Sequence, residues 1–314
     1  MPLTSTSYFD LSHFSLLRLS GKDAYDFLQA QVCGDLELLD QAGWFLTAWC
    51  LPNGRVITTF ILYRQDDSLF MLIPSMLKDK IINRLGMFVL RSDVRIEDIS
   101  DDYMTVGLAG KHSESLVREL SNKDTKQQGN LLSNSRFSAI CINRPEPRFI
   151  LIGQMQDCDK VLERITQTAV AGERTQWSLK DIRSGLPWIL ESTSEIFLPQ
   201  MLNLDNSRGL SYQKGCYPGQ EVIARLHFRG QVKKRMIIGH CQTNTTPGPG
   251  DRIMLGKGGA KPVGDILDAE RDEDNRVVLL AVVENDVLDS DALVIEKNKG
   301  DCISLERIQY PAGG

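Results

Sequence analysis

Cys216 is the side chain in this sequence whose setting most clearly suggests chemistry. It lies in LPQMLNLDNSRGLSYQKGCYPGQEVIARLHFR (198–229), an irregular stretch dense in Gly and polar residues. Irregular segments of this length inside a compact domain usually carry function on a rigid scaffold. Gly215, Pro218 and Gly219 turn the backbone tightly around Cys216 and Tyr217, and Gln220 and Glu221 then open a short helix. Lys214, two residues upstream, and the N–H groups at the helix start both favour the thiolate, the nucleophilic form of cysteine. The same residues leave a second reading open, a buried cysteine in a glycine-rich turn.

Other candidate motifs fall away on spacing. Gly256-Lys257-Gly258-Gly259 has the composition of a phosphate loop. However, Gly250 lies one residue too far upstream and Gly258 stands where Ser or Thr belongs, so it reads as a hairpin turn. The four histidines (13, 112, 227, 240) show no metal-ligand spacing, and the seven cysteines never form C-x-x-C, so no metal site is expected. Neither G-x-S-x-G nor G-x-G-x-x-G occurs. Trp177 could be core or a platform for a flat ligand, and burial statistics favour core.

The elements that would position Cys216 follow from periodicity. A β-branched and aromatic run at 56–63 follows the turn Pro52-Asn53-Gly54 and reads as a strand, with a second at 69–73. Ser75 then opens a segment with Leu77, Ile81, Ile82 and Leu85 at helical spacing. Strands near 94–99 and 103–108 precede a helix near 112–120, and strands near 137–142 and 148–152 precede one near 158–169. Helices separated by pairs of strands predict antiparallel sheets covered on one face, an α+β class. The segment 122–135 is polar and aperiodic and reads as a surface loop, and 173–230 as irregular. Beyond 235, six short strand candidates separated by turns such as Pro247-Gly248-Pro249-Gly250 predict a small all-β barrel. The expected domains are therefore 1–235 and 236–314.

Bulk composition bounds the function. At 314 residues, 42% hydrophobic and 25% charged, the chain has the makeup of a globular protein of about two domains. A net charge of −5 argues against a chain that coats nucleic acid and against direct nucleic-acid binding in general, while leaving room for a local basic patch. No basic leader precedes an apolar core, no apolar run spans a bilayer, and the scattered, odd-numbered cysteines read as reduced thiols. Together these predict a cytoplasmic protein without membrane contact.

Lys214-Gly215-Cys216-Tyr217-Pro218-Gly219-Gln220-Glu221 resembles the K-G-C-Y-x-G-Q-E signature of the YgfZ family. Leu198-Pro199-Gln200 and Asn203-Leu204-Asp205 precede it as in that family, and Val222-Ile223-Ala224-Arg225 continues it. The segment 177–187 and Gly54-Arg55-Val56 match further family segments, and Gly21 with Gln29 and Gln31 resembles the opening G-x-D…Q-x-Q-x-T-x-D element. The resemblance thus spans nearly the whole chain.

It implies the glycine-cleavage T-protein (aminomethyltransferase-like) architecture, two intertwined α+β domains around a channel plus a C-terminal β-barrel. It also implies tetrahydrofolate, or a one-carbon derivative, as cofactor, with Phe14, Trp177, Tyr217, Glu221 and Arg225 as binding residues, Arg229 as a further cation for the glutamate tail, and Cys216 as the chemically active residue on the loop of Lys214, Gly215, Gly219 and Gln220. Phe14 replaces a tryptophan, which keeps stacking but loses an indole N–H. For Glu221, capping its own helix ranks ahead of meeting the pterin. The implied role is assembly or repair of iron–sulfur proteins, among them a tRNA-thiomethylating enzyme. Thr58 and Thr59 stand where true aminomethyltransferases carry an acid–base Asp pair, so the glycine-cleavage reaction is not expected. Arg183 stands where relatives place Glu, changing a charge near the expected pterin. Two alternatives remain: a folate-dependent one-carbon transferase or demethylase, and a partner-docking module with a vestigial folate pocket.

Overall fold

The computed structural model of the chain describes residues 6–121, 123–143, 145–256 and 261–310, with backbone alone for 298–301. The expected turn at Lys257-Gly258-Gly259 lies outside the described residues. The chain divides into two compact units: Met1–Phe27, Leu36–Phe45 and Ile61–Trp177 form the first, and Leu28–Asp35, Leu46–Phe60 and Ser178–Gly314 the second.

The first unit holds a seven-stranded sheet in the order Val170–Ala171, Ser7–Asp10, Tyr103–Ala109, Arg148–Gln154, Ser138–Ile142, Leu131–Ser133, Lys126–Gln128. Every pairing is antiparallel except the short Ser7–Asp10 and Val170–Ala171 contact. Helices Ser113–Leu120 and Met155–Thr168 lay Leu116, Val117, Leu120 and Val161, Ile165 onto Leu108, Phe149 and Leu151, which removes one apolar face of the sheet from water. A second antiparallel set in this unit pairs residues 61–65 of the strand Val56–Gln65 with Ser68–Pro74, then Phe14–Ser20 and Arg95–Asp98. The helix Lys78–Gly86 follows, burying Ile81 and Leu85 as their spacing requires.

In the second unit the C-terminal strands make a seven-stranded antiparallel sheet. Its order is Asn298–Cys302, Leu293–Ile295, Arg252–Leu255, Lys261–Arg271, Val277–Glu284, Lys234–Cys241, Ser304–Glu306. The two outermost strands are consecutive in the chain, with only Ile303 between them, so the sheet must curl until its edges meet. Ile237, Ile253, Val263, Ile266, Leu279, Ala281 and Leu293 fill its interior.

Two expectations are corrected. The segment 122–135 is not all loop: Lys126–Gln128 and Leu131–Ser133 form a hairpin at the sheet edge. Their exposed Lys126 and Gln127 leave no alternation to read, and only Leu131 is buried. The start of 173–230 is also regular, the helix Arg174–Ser184 burying Trp177, Leu179, Asp181 and Ile182.

His13, packed 4.3 Å from the Phe14 ring, has its pKa lowered to about 4 by burial and the nearby Arg174. The unfolded chain binds a proton there near pH 6.5 and the folded chain does not, so this contribution is complete above pH 6.5 and lost as pH falls toward 4. Discounted for partial exposure, His13→Asn should remove about 1–2 kcal/mol of acid destabilisation between neutral pH and pH about 4.5. Urea midpoints of both proteins across that window check this. Parallel pH profiles would rule it out.

Candidate functional site

The loop around Cys216 is built by its own polar groups. The Ser211 hydroxyl accepts from the N–H groups of Gln213 and Lys214 (3.3 and 3.2 Å), and the Tyr217 hydroxyl donates back to the Ser211 carbonyl (3.2 Å). Gln220 Nε2 donates to the carbonyls of Lys214 and Gly215 at 3.3 and 3.4 Å. Gly219 has φ +84°, and a Cβ there would stand 2.6 Å from both Gly54 Cα and the Leu51 carbonyl. Only glycine lets the loop seat against the 51–54 turn and start the helix Gln220–Arg229. The result is a fastened loop on which Gly215 and Cys216 are exposed. The exposed thiol removes the buried-turn reading of this cysteine.

Lys214 does not serve that thiol. Its ammonium turns inward and donates to the carbonyls of Gln29, Val32 and Gly34, the latter two at 2.9 and 2.7 Å, so all three of its N–H bonds are used. The Tyr217 ring lies 5.5 Å from it. Burial lowers the Lys214 pKa to about 8, against an opposing pull from Cys33 and Asp35, and burial raises that of Tyr217. The expectation that Lys214 assists Cys216 is thus corrected: burial drives this side chain to backbone acceptors, and it anchors the loop to the 29–34 segment.

Sequence reasoning missed a pair of buried thiols. Val32 and Trp49 form an isolated antiparallel bridge, and the Cys33 N–H donates to the Ala48 carbonyl at 3.0 Å. This register sets Cys33 opposite Ala48 and diagonally near Cys50, both thiols fully buried, with the Cys33 thiol donating to the Gly209 carbonyl at 3.4 Å. Burial pushes the Cys50 pKa well up. In Cys33 burial, which raises the pKa, is outweighed by the surrounding polar groups of Cys50, Thr47 and Ala48 and by the charge of Lys214, so its pKa lies below the usual thiol value. The two are 17 positions apart and give no motif; only the bridge reveals them.

The remaining predicted residues are placed as follows. Thr58 and Thr59 are wholly buried. Thr59 Oγ1 donates to the Pro187 carbonyl and accepts from the Ile189 N–H at 3.0 Å, and Thr58 Oγ1 donates to the Thr59 carbonyl at 3.1 Å. These hydroxyls fasten backbone. Arg183 pairs with Glu273 at 3.6 Å. Glu221 and Arg225 are exposed on the 220–229 helix, Glu221 in the first turn where a carboxylate complements the helix dipole.

Phe14 and Trp177 belong to the first unit, and Tyr217, Glu221 and Arg225 to the second. Phe14 is 6% exposed. Trp177 is 0% exposed, with the Arg148 guanidinium 4.7 Å above its ring, Phe9 at 5.3 Å, and Gly107 so close that a Cβ there would lie 2.5 Å from the indole. Such a ring offers no free face for a pterin to stack on. Two polar groups remain open to a ligand: the buried Gln31 Oε1, an acceptor with no hydrogen-bond partner among the described residues, and the exposed guanidinium of Arg225. Among the described residues no group of three or more His, Cys, Asp or Glu could hold a metal ion, and no helix is long and apolar enough to cross a membrane.

Comparison with known proteins places this geometry. A family model described as the GCVT N-terminal domain matches residues 3–142. The tRNA-modifying protein YgfZ of Enterobacter sp. (strain 638) is 28% identical over 99% of this chain and 94% of its own length. Its namesake from Hamiltonella defensa is 31% identical over 87% of this chain and 78% of its own. Among solved structures, the glycine cleavage system aminomethyltransferase T of Bartonella henselae covers 97% of this chain, and is itself covered over 86%, with TM-score 0.75 and 12% identity, a likeness of fold. That fold is the α+β aminomethyltransferase architecture, with the curled antiparallel sheet at the C-terminal end.

Proposed function

The chain belongs to the YgfZ family, and from that premise we propose that it is a tetrahydrofolate-binding accessory protein that supports tRNA modification by helping to make or repair iron–sulfur enzymes, with Cys216 as its working group. The observation that carries this reading is the loop itself. Lys214, Gly219 and Gln220 are all spent on fixing the backbone, and what they hold out to solvent is a single thiol. A thiol presented on a fixed loop suits contact with a partner protein, where a transient bond to sulfur or metal can form.

Tetrahydrofolate would supply a flat, one-carbon-carrying group when bound. Phe14, Trp177, Tyr217, Glu221 and Arg225 are the residues assigned to it by family resemblance, Arg225 offering a cation to the glutamate tail, while the closed packing of Trp177 speaks against a stacking role for that ring. A one-carbon transferase is disfavoured because Thr58 and Thr59, where an acid–base pair would stand, are buried and engaged with backbone. The protein is proposed to act in the cytoplasm.

Two measurements test the proposal. Calorimetric titration with tetrahydrofolate should show binding that weakens about tenfold in Arg225→Ala, an exposed site where the fold is unaffected. No heat from the folded wild type rejects the folate half. In cells lacking the protein, Cys216→Ser should fail to restore thiomethylated tRNA while folding and binding folate normally. Full restoration rejects the thiol half.

A further inference from the structure

A second surface on the same unit goes beyond this reading, although it shares with it the helix that carries Arg225 and Arg229. From 222 to 235 the chain carries five cations (Arg225, Arg229, Lys233, Lys234, Arg235) and no acid, in a protein of net charge −5. Lys234 and Arg235 are taken up by Asp265 and Asp205. Arg225, Arg229 and Lys233 stay exposed and enter no ion pair among the described residues.

Aromatic rings are interleaved with these charges. Tyr212 and His227 stack at 3.8 Å with an interplanar angle of 15°. Phe228 stands edge-on to both, 4.7 Å from His227 and 6.3 Å from Tyr212, and is 69% exposed. On the helix Gln220–Arg229, Ile223 faces the core, while Arg225, Phe228 and Arg229 share the outer face at i, i+3 and i+4. An exposed phenyl ring held upright by two others, with cations beside it, has the chemistry of a stacking platform. Cations take the phosphates of a single strand, and the ring takes the face of an unpaired base.

We propose that Phe228, Arg229 and Lys233, backed by the Tyr212–His227 stack, form a contact site for a single-stranded nucleic-acid segment of a few nucleotides. An acidic protein segment would also answer the cations, but it leaves the upright ring without a partner, whereas every base has a π-face for it. The net charge of −5 opposes coating of long nucleic acid and does not oppose this local contact.

The test is fluorescence anisotropy of an unstructured, labelled oligonucleotide of about 12 nucleotides, as RNA and as DNA, with the full-length protein at about 50 mM salt. Wild type should bind at least one of the two. Phe228→Ala should weaken binding between about fivefold and a hundredfold, and Phe228→Tyr should restore it. Arg229→Gln with Lys233→Gln should flatten the slope of log affinity against log salt by about 1.4. Phe228 is exposed enough that both of its variants should fold, which circular dichroism confirms. The proposal is overturned if the folded wild type binds neither oligonucleotide, if Phe228→Ala binds as wild type does, or if polyglutamate displaces the oligonucleotide as effectively as unlabelled RNA, which would mark an acidic-protein surface.

Discussion

Trp177→Ala should lower the free energy of unfolding by about 3–5 kcal/mol, the range for removing a large aromatic side chain from a closed core. The indole is 0% exposed, packed on Gly107 and Phe9, and carries the guanidinium of Arg148, itself only 2% exposed, above its ring. Deleting it opens a cavity and takes away the aromatic surface that the buried cation rests on. Urea unfolding followed by far-ultraviolet circular dichroism, which does not depend on the lost chromophore, measures the change. The result bears directly on the folate reading. A ligand platform replaced by alanine loses affinity and little stability, whereas a core residue loses stability first. A loss below about 1 kcal/mol with folate affinity abolished would return Trp177 to the binding site.

How much of this was legible in the sequence depends on the range over which each residue acts. The strand Val56–Gln65 and the helix Met155–Thr168 are visible because β-branched runs and i, i+3, i+4 spacing are local signals. The 214–221 motif is visible for the same reason, its eight residues being contiguous. What those residues do was only partly visible. Gly219 reads as a turn residue in either setting, but the reason it must be glycine, the 51–54 turn pressed against it, comes from 165 positions away in sequence at Gly54. Lys214 beside Cys216 reads as a thiol activator until its acceptors at Gln29, Val32 and Gly34 are known. Cys33, Cys50 and the Tyr212–His227 stack have no linear signature. Polar edge strands such as Lys126–Gln128 carry no alternation because neither face is fully buried.

Lys214→Met should therefore cost about 2–4 kcal/mol, although a methionine fills much of the same volume. The three carbonyls that accept from the ammonium would be left inside the protein with no donor. The pH dependence has a definite sign. The folded pKa, lowered to about 8 by burial, lies below the unfolded value of about 10.4, so in that window the unfolded chain holds more protons. Stability from this group therefore rises with pH from about 8 to 10.4, and the burial penalty is present in full below pH 8. The gap between wild type and Lys214→Met should widen by about 1–2 kcal/mol on going from pH about 7 to pH about 9.5. A thiol readout separates the anchor from a merely well-packed side chain. In the wild type Cys216 and Cys302 are exposed to Ellman's reagent while Cys33 and Cys50 are buried. Loss of the anchor frees the 29–34 segment, and Cys33 and Cys50 should then react within the same interval. Wild-type stability together with an unchanged thiol titre would mean that the loop around Cys216 is held without Lys214.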